Sequence, residues 1–471
     1  TQEMAPERAI WEAATSFADQ MAALGGYMAE RVTDIHDVRA RIVAELTGQQ
    51  APGIPVSDEP FILAAIDLAP ADTATLDPEK VIALITSDGG PQAHTAILAR
   101  GLGLPAIVAA KGVTEIADGT IVYVDSNEGI VDTEPTDADR EAAIKYANRK
   151  PVADFDGQGV LADGTRVPLY ANVGDGKSAE KAASLKAEGV GLLRTEFGFL
   201  GHDAEPSIET QAKTYKSVFD AFPGKHIVVR TLDAGADKPL PFLNVNPEEN
   251  PALGVRGFRT DWTVPGVLTR QLEAIKAASE NSDADIWVMA PMISTTSEAR
   301  NFANMLKEIG LPVHGVMVET PAAVMNAEAI LGEVDFVSIG TNDLTQYTMA
   351  ADRLLGDLAH LNNPWQPAVL KMIKMTVEGA QRASVTAGKK KYVSVCGEAA
   401  ADPALAVVLV GLGVDTLSMN AGAIPAVAAV LKSVTKEKAQ QIAAIALQQI
   451  SSAEAKESAR KALPILDELG L

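Results

Sequence analysis

The chain has 471 residues, a formal net charge of −22, 47% hydrophobic residues and a single cysteine. Its length exceeds one ordinary domain, so two or three are expected. One cysteine excludes an internal disulfide, no apolar run is long enough to cross a bilayer, and the N-terminus has no basic stretch before an apolar one. The resulting expectation is a cytoplasmic protein without membrane insertion, and the acidic balance argues against nucleic-acid binding.

Residues 7–47 read as helices, with Trp11, then Phe17, Met21, Leu24 and Met28, then Val32, Ile35, Val38, Ile42 and Leu46, the steps from Phe17 onward being three or four residues. This predicts a helical region over 1–50. The segment 48–60, GQQAPGIPVSDEP, is turn-rich. From 61 the pattern becomes short apolar runs, FILAAI, VIALIT, PAIVAA and TIVYVD, which predict a small α/β domain over 51–135. Residues 136–164 are expected to be a linker, charged and helix-forming over their first half.

Within the small domain, SDGGPQAHTAILARGLGLPAIV (87–108) sets His94 between a Gly-Gly turn and a helix start. Glycines allow an anion close approach, and unpaired N–H groups at a helix N-terminus stabilise it. A neutral imidazole there is a candidate nucleophile for phosphate, although a histidine after glycines also serves as an ordinary loop residue.

Over 165–471 the runs VPLYANVG, GVGLLRTE, HIVVRTLD, IWVMAPM, HGVMVET, FVSIGTND, YVSVCGE and DTLSMN alternate with helical stretches. Eight such strands predict a (β/α)8 TIM barrel. Arg194, Arg230, Glu319, Asn342, Asp343 and Cys396 fall at or just beyond the C-terminal ends of their strands, the face where such barrels place active sites. Arg194, Arg230 and Arg353 suit a phosphate clamp, since guanidinium donors match phosphate oxygens in pairs.

The His94 string closely resembles the phosphohistidine segment shared by enzyme I of the phosphoenolpyruvate:sugar phosphotransferase system, pyruvate phosphate dikinase and phosphoenolpyruvate synthase. The strings GLLRTEF, VVRTLDAGADK, NPALGVRGFR, MAPMIST, GVMVETPAAV, SIGTNDLTQYTMAADR and VCGEAAADP resemble the phosphoenolpyruvate-binding domain of enzyme I. The resemblance implies that His94 accepts the phosphoryl group of phosphoenolpyruvate and passes it to a histidine of the carrier protein HPr, releasing pyruvate as the first step of sugar uptake. It implies that Arg194 and Arg230 bind phosphoenolpyruvate, Asn342 and Asp343 contact it, and Arg353 holds its phosphate. Glu319 and Asp343 would bind Mg²⁺, which prefers oxygen ligands and takes one or two carboxylates. Cys396 would donate the proton to the enolpyruvate carbon; apart from the resemblance, Glu398, two residues on, is a candidate to orient it, its role left open. Arg256 and Lys238 are placed in the same site without a defined role.

The helices at 7–47 resemble the later part of enzyme I's HPr-binding subdomain. Its opening elements are missing, so an N-terminally shortened chain with an incomplete docking surface is expected. A homodimer through the barrel, and hinges near 48–60 and 135–150 that let the His94 domain swivel, complete the expectation. Two alternatives are a fragment of a dikinase or synthase and a phosphoenolpyruvate-sensing regulatory module. The first needs a large ATP-grasp domain ahead of the histidine; the second gains nothing from carrying both His94 and Cys396.

Overall fold

The computed structural model describes residues 4–24, 32–49, 53–55, 57–68, 76–77, 80–88, 95, 99, 104–126, 129–147, 152–234, 240–243, 248–280, 282–355 and 358–471. The chain divides into two compact units, Thr1–Asn148 and Arg149–Leu471. No helix among the described residues is long and apolar enough to cross a membrane.

The first unit opens with helices Pro6–Leu24 and Val32–Thr47, which pack on one another. The Arg39 guanidinium lies 3.8 Å from the Trp11 ring centroid and donates to Thr15 Oγ1 at 2.7 Å. The periodic apolar stripe is only partly covered within this pair: Trp11 is 49% and Phe17 52% exposed. A parallel sheet follows, ordered β1 (Phe61–Ala65), β2 (Val81–Thr86), β3 (Ala106–Ile107). Leu63, Leu68, Leu76, Val81, Leu84 and Ala99 form its core. The run TIVYVD does not join that sheet. Its last three residues, β4 (Tyr123–Asp125), pair antiparallel with β5 (Ile130–Asp132) in a separate ribbon. Helix Asp137–Ala147 ends the unit, with Thr136 and Asp139 exchanging hydrogen bonds at its start.

In the second unit the core already takes in Phe155, Leu161 and Val167, so the later part of the 136–164 segment packs with the barrel. Eight parallel strands close on themselves: β6 (Leu169–Val173), β7 (Gly189–Arg194), β8 (His226–Arg230), β9 (Asp285–Ala290), β10 (His314–Val318), β11 (Phe336–Ile339), β12 (Tyr392–Val395) and β13 (Thr416–Met419). β13 returns to pair with β6. Each strand is buried on both faces, against helices outside and against other strands' side chains inside, which explains why the strands read as nearly unbroken apolar runs. Leu192, Val228, Met289, Met317 and Phe336 fill the interior beneath Cys396. That layer makes the barrel a packed floor under its C-terminal rim.

Candidate active site

The rim is built from residues that follow the strands. β7 delivers Arg194, whose guanidinium makes no hydrogen bond or ion pair with another described residue. Two residues on, Glu196 is buried and accepts from Arg230 Nη2 at 2.9 Å. Arg230 ends β8, and its Nη1 also lies 3.5 Å from Asp233 Oδ2. Burial opposes the charge on Arg230, but Glu196, Asp233 and Glu319 outweigh it and the net shift is upward, so the guanidinium stays charged.

Ahead of the helix Val267–Ser279, Arg256 is brought to the rim. Its Nε and Nη2 reach Asp233 Oδ1 and Oδ2 at 3.1 and 2.8 Å, and its Nη1 reaches Asp343 Oδ1 at 2.8 Å. Burial would raise the Asp233 carboxyl, but Arg256 and Arg230 hold it below the ordinary carboxylate range. The next residue is Gly257, with φ +59°, where an added Cβ would fall 2.9 Å from Met292 Cβ. A side chain is excluded there on both counts.

Glu319 follows β10 and is 1% exposed; its Oε1 accepts the Met292 N–H at 2.6 Å. Met292 holds a left-handed φ of 60° in doing so, a conformation rare outside glycine. Burial, then the charges of Asp343 and Asp233, push the Glu319 carboxyl up to about 8. Gly340 keeps the space beside Glu319 Oε2 open, since a Cβ would come within 2.7 Å. Asp343, in the first turn of Thr341–Met349, has its second oxygen 3.5 Å from Arg353 Nη1. Asn342 Oδ1 accepts the Glu398 N–H at 3.2 Å.

Among the described residues no group of three or more His, Cys, Asp or Glu side chains is arranged to hold a metal. Mg²⁺ does not require one: a pair of carboxylates suffices when substrate and water fill the other positions. Glu319 and Asp343 are the pair expected from the sequence to fill that role. The charge of Asp343 raises the Glu319 carboxyl, as expected of neighbouring carboxylates that a cation would relieve.

Cys396 ends the line at the top of β12, 2% exposed, with Sγ 3.7 Å from the Ile339 carbonyl oxygen. Burial pushes its thiol up, so it rests protonated. The Glu398 side chain is exposed and makes no described contact with that buried sulfur, so the orienting role expected of it finds no support in the geometry. His94 and Lys238 lie outside the described residues. Thr95, beside His94, is buried, and its hydroxyl donates to Asp67 Oδ1 at 2.7 Å.

The barrel therefore brings Arg194, Arg230, Glu319, Asn342, Asp343, Arg353 and Cys396 to one rim. Glu196 and Asp233, which sequence reasoning passed over, are the counter-charges that hold the arginines in place. Their signal was present in the strings RTEF and RTLD, as acids two and three residues after strand-end arginines.

Residues 152–436 match the family described as PEP-utilising enzyme, PEP-binding domain, and residues 57–129 match PEP-utilising enzyme, mobile domain. A phosphoenolpyruvate-protein phosphotransferase of Streptomyces coelicolor is 47% identical, over 97% of this chain and 82% of that one. The chain belongs to the phosphoenolpyruvate-protein phosphotransferase family. Two further members, from Haloferax volcanii and Staphylococcus carnosus, are 39% and 37% identical, over 96% and 91% of this chain and 81% and 77% of theirs. This is an enzyme family of phosphoryl transfer, built here on a closed TIM barrel. All the rim residues fall within the stretch matched as PEP-utilising enzyme, PEP-binding domain, and His94 falls within the mobile-domain stretch.

Proposed function

We propose that the protein transfers the phosphoryl group of phosphoenolpyruvate to His94 and then to a histidine of the carrier protein HPr, releasing pyruvate and starting sugar uptake. The observation that carries the reading is the rim itself. Arg194 offers an uncommitted guanidinium among the described residues, while Arg230, Arg256 and Arg353 are held by the acids around them. A trianionic substrate suits that uncommitted cation, with Arg194, Arg230 and Arg353 holding phosphate and carboxylate oxygens and Asn342 and Asp343 in contact.

Glu319 and Asp343 would hold Mg²⁺, which when bound neutralises charge on the transferring group. Phosphoryl transfer depends mainly on positioning, so His94 must enter the barrel mouth for the first displacement and leave it for the second. Cys396, kept neutral by its surroundings, supplies the proton to the carbon of enolpyruvate. A cytoplasmic location and a homodimer through the barrel complete the proposal.

Intact-mass measurement after incubation with phosphoenolpyruvate and Mg²⁺ tests it, with His94→Ala as control. An acid-labile phosphate is expected on the wild type and none on the variant. A label that persists in His94→Ala, or that needs ATP, would refute the reading and favour a dikinase-type reaction.

A further inference from the structure

Ser338 stands out in the floor of the site. It lies on β11 two residues after Phe336, so both face the barrel interior, where Phe336 packs with Met317, Met289 and Cys396. The residue is fully buried and its Oγ has no hydrogen-bond partner that satisfies distance and angle. A hydroxyl abandoned among methionines and a phenylalanine is disfavoured and calls for a reason. β11 and β12 run side by side with Ser338 opposite Ser394 and Ile339 opposite Val395, which sets Cys396 diagonally above Ser338 on the same inner face. On that register the Ser338 hydroxyl is a diagonal neighbour of the sulfur, and its influence on the thiol favours the thiolate.

We propose that Ser338 is a positioning residue for the Cys396 thiol, its hydroxyl being the donor that stabilises sulfur once the proton has gone. This rests on Cys396 being the proton donor. When the P–O bond of phosphoenolpyruvate breaks toward His94, the enolate of pyruvate is left in the site. Its carbon takes the thiol proton: the S–H bond breaks, a C–H bond forms, and the electron pair stays on sulfur. The Ile339 carbonyl, which faces the S–H at 3.7 Å, can accept but never donate, so it does nothing for the thiolate. Asn172 Nδ2 is also committed, donating to the Cys396 carbonyl oxygen at 2.9 Å, while its Oδ1 accepts from Ser418. Among the described residues, two buried hydroxyls near Cys396 have no partner, those of Ser338 and Thr341; Thr341 Oγ1 lies against Gly397, and Ser338 is the one on the inner face of the strand paired with β12. Before transfer it is an unsatisfied donor; after transfer it faces an anion. Protonation of the thiolate by solvent on product release resets the site.

The test uses the full chain with Ser338→Ala, Ser338→Thr and Cys396→Ala. Three quantities are measured: phosphoenolpyruvate affinity with Mg²⁺ by calorimetry, the single-turnover rate of pyruvate formation, and the infrared S–H stretching band. The chain has one cysteine, so that band has one source. Ser338→Ala is expected to bind within about twofold of wild type, form pyruvate about tenfold more slowly, and shift the band; Ser338→Thr, which keeps the hydroxyl, recovers most of the rate. An unshifted band and a wild-type rate in Ser338→Ala, with Cys396→Ala slow, would overturn the positioning role alone. A wild-type rate in Cys396→Ala would overturn the proton-donor assignment and the role of Ser338 with it.

Discussion

Removing the Arg256 guanidinium takes from Asp233 the cation that meets both its oxygens, and from Asp343 its shortest ion pair. Asp233 is buried, and among the described residues the anion left behind keeps an ion pair with Arg230 at 3.5 Å. Arg256→Met is expected to cost about 3–5 kcal/mol of unfolding free energy in urea melts, the range for breaking a buried pair from one side. Arg256→Lys keeps the charge but not the planar fork, and should recover only part of the loss. A loss below about 1 kcal/mol in the Met variant would mean that Asp233 finds water or another donor. The position was legible only as one arginine in the string NPALGVRGFR, outside any strand end. Nothing in a linear string tells which acids a loop arginine will meet, because the loop fold that brings Arg256 to Asp343, 87 residues away, is tertiary.

At the scale of elements, the insertion between β8 and its helix depends on backbone geometry as much as on charge. Gly257 at φ +59° lies against Met292, itself at φ 60° and donating its amide to Glu319. Gly257→Ala combines left-handed strain with a contact at 2.9 Å and should destabilise by about 1–3 kcal/mol. It should also weaken phosphoenolpyruvate binding in calorimetry, because Arg256 and Glu319 are moved together. Unchanged stability and affinity would show that the loop relaxes freely. The barrel strands were readable because burial on both faces writes continuous apolar runs, and their ends were readable because polar residues interrupt those runs. TIVYVD has the same composition but only three residues in β4, and its partner β5 is antiparallel. Composition marks a strand, whereas its partner is chosen by the turn that follows. The helices at 6–24 and 32–47 were equally legible from period, yet the period does not say what meets Trp11 and Phe17.

For the whole molecule, the second unit carries its own core and its own closed sheet, with the rim residues inside it. A fragment of residues 149–471 is therefore expected to fold with one cooperative transition and to bind phosphoenolpyruvate with Mg²⁺, but to acquire no phosphate, since His94 lies in the first unit. A fragment that folds yet binds nothing would place part of the substrate site outside the barrel. The sequence by itself determined the class of chemistry, the eight strands and the residues at their ends, because periodicity, strand-end position and motif strings are properties of the line. Only the tertiary structure decided how those residues are charged and held. Glu196 and Asp233 clamp the arginines, the strained Met292 amide meets Glu319, and the buried Ser338 hydroxyl is left without a partner on the strand beside that of Cys396. Burial and long-range proximity set these relations, and neither is written at any single position of the chain.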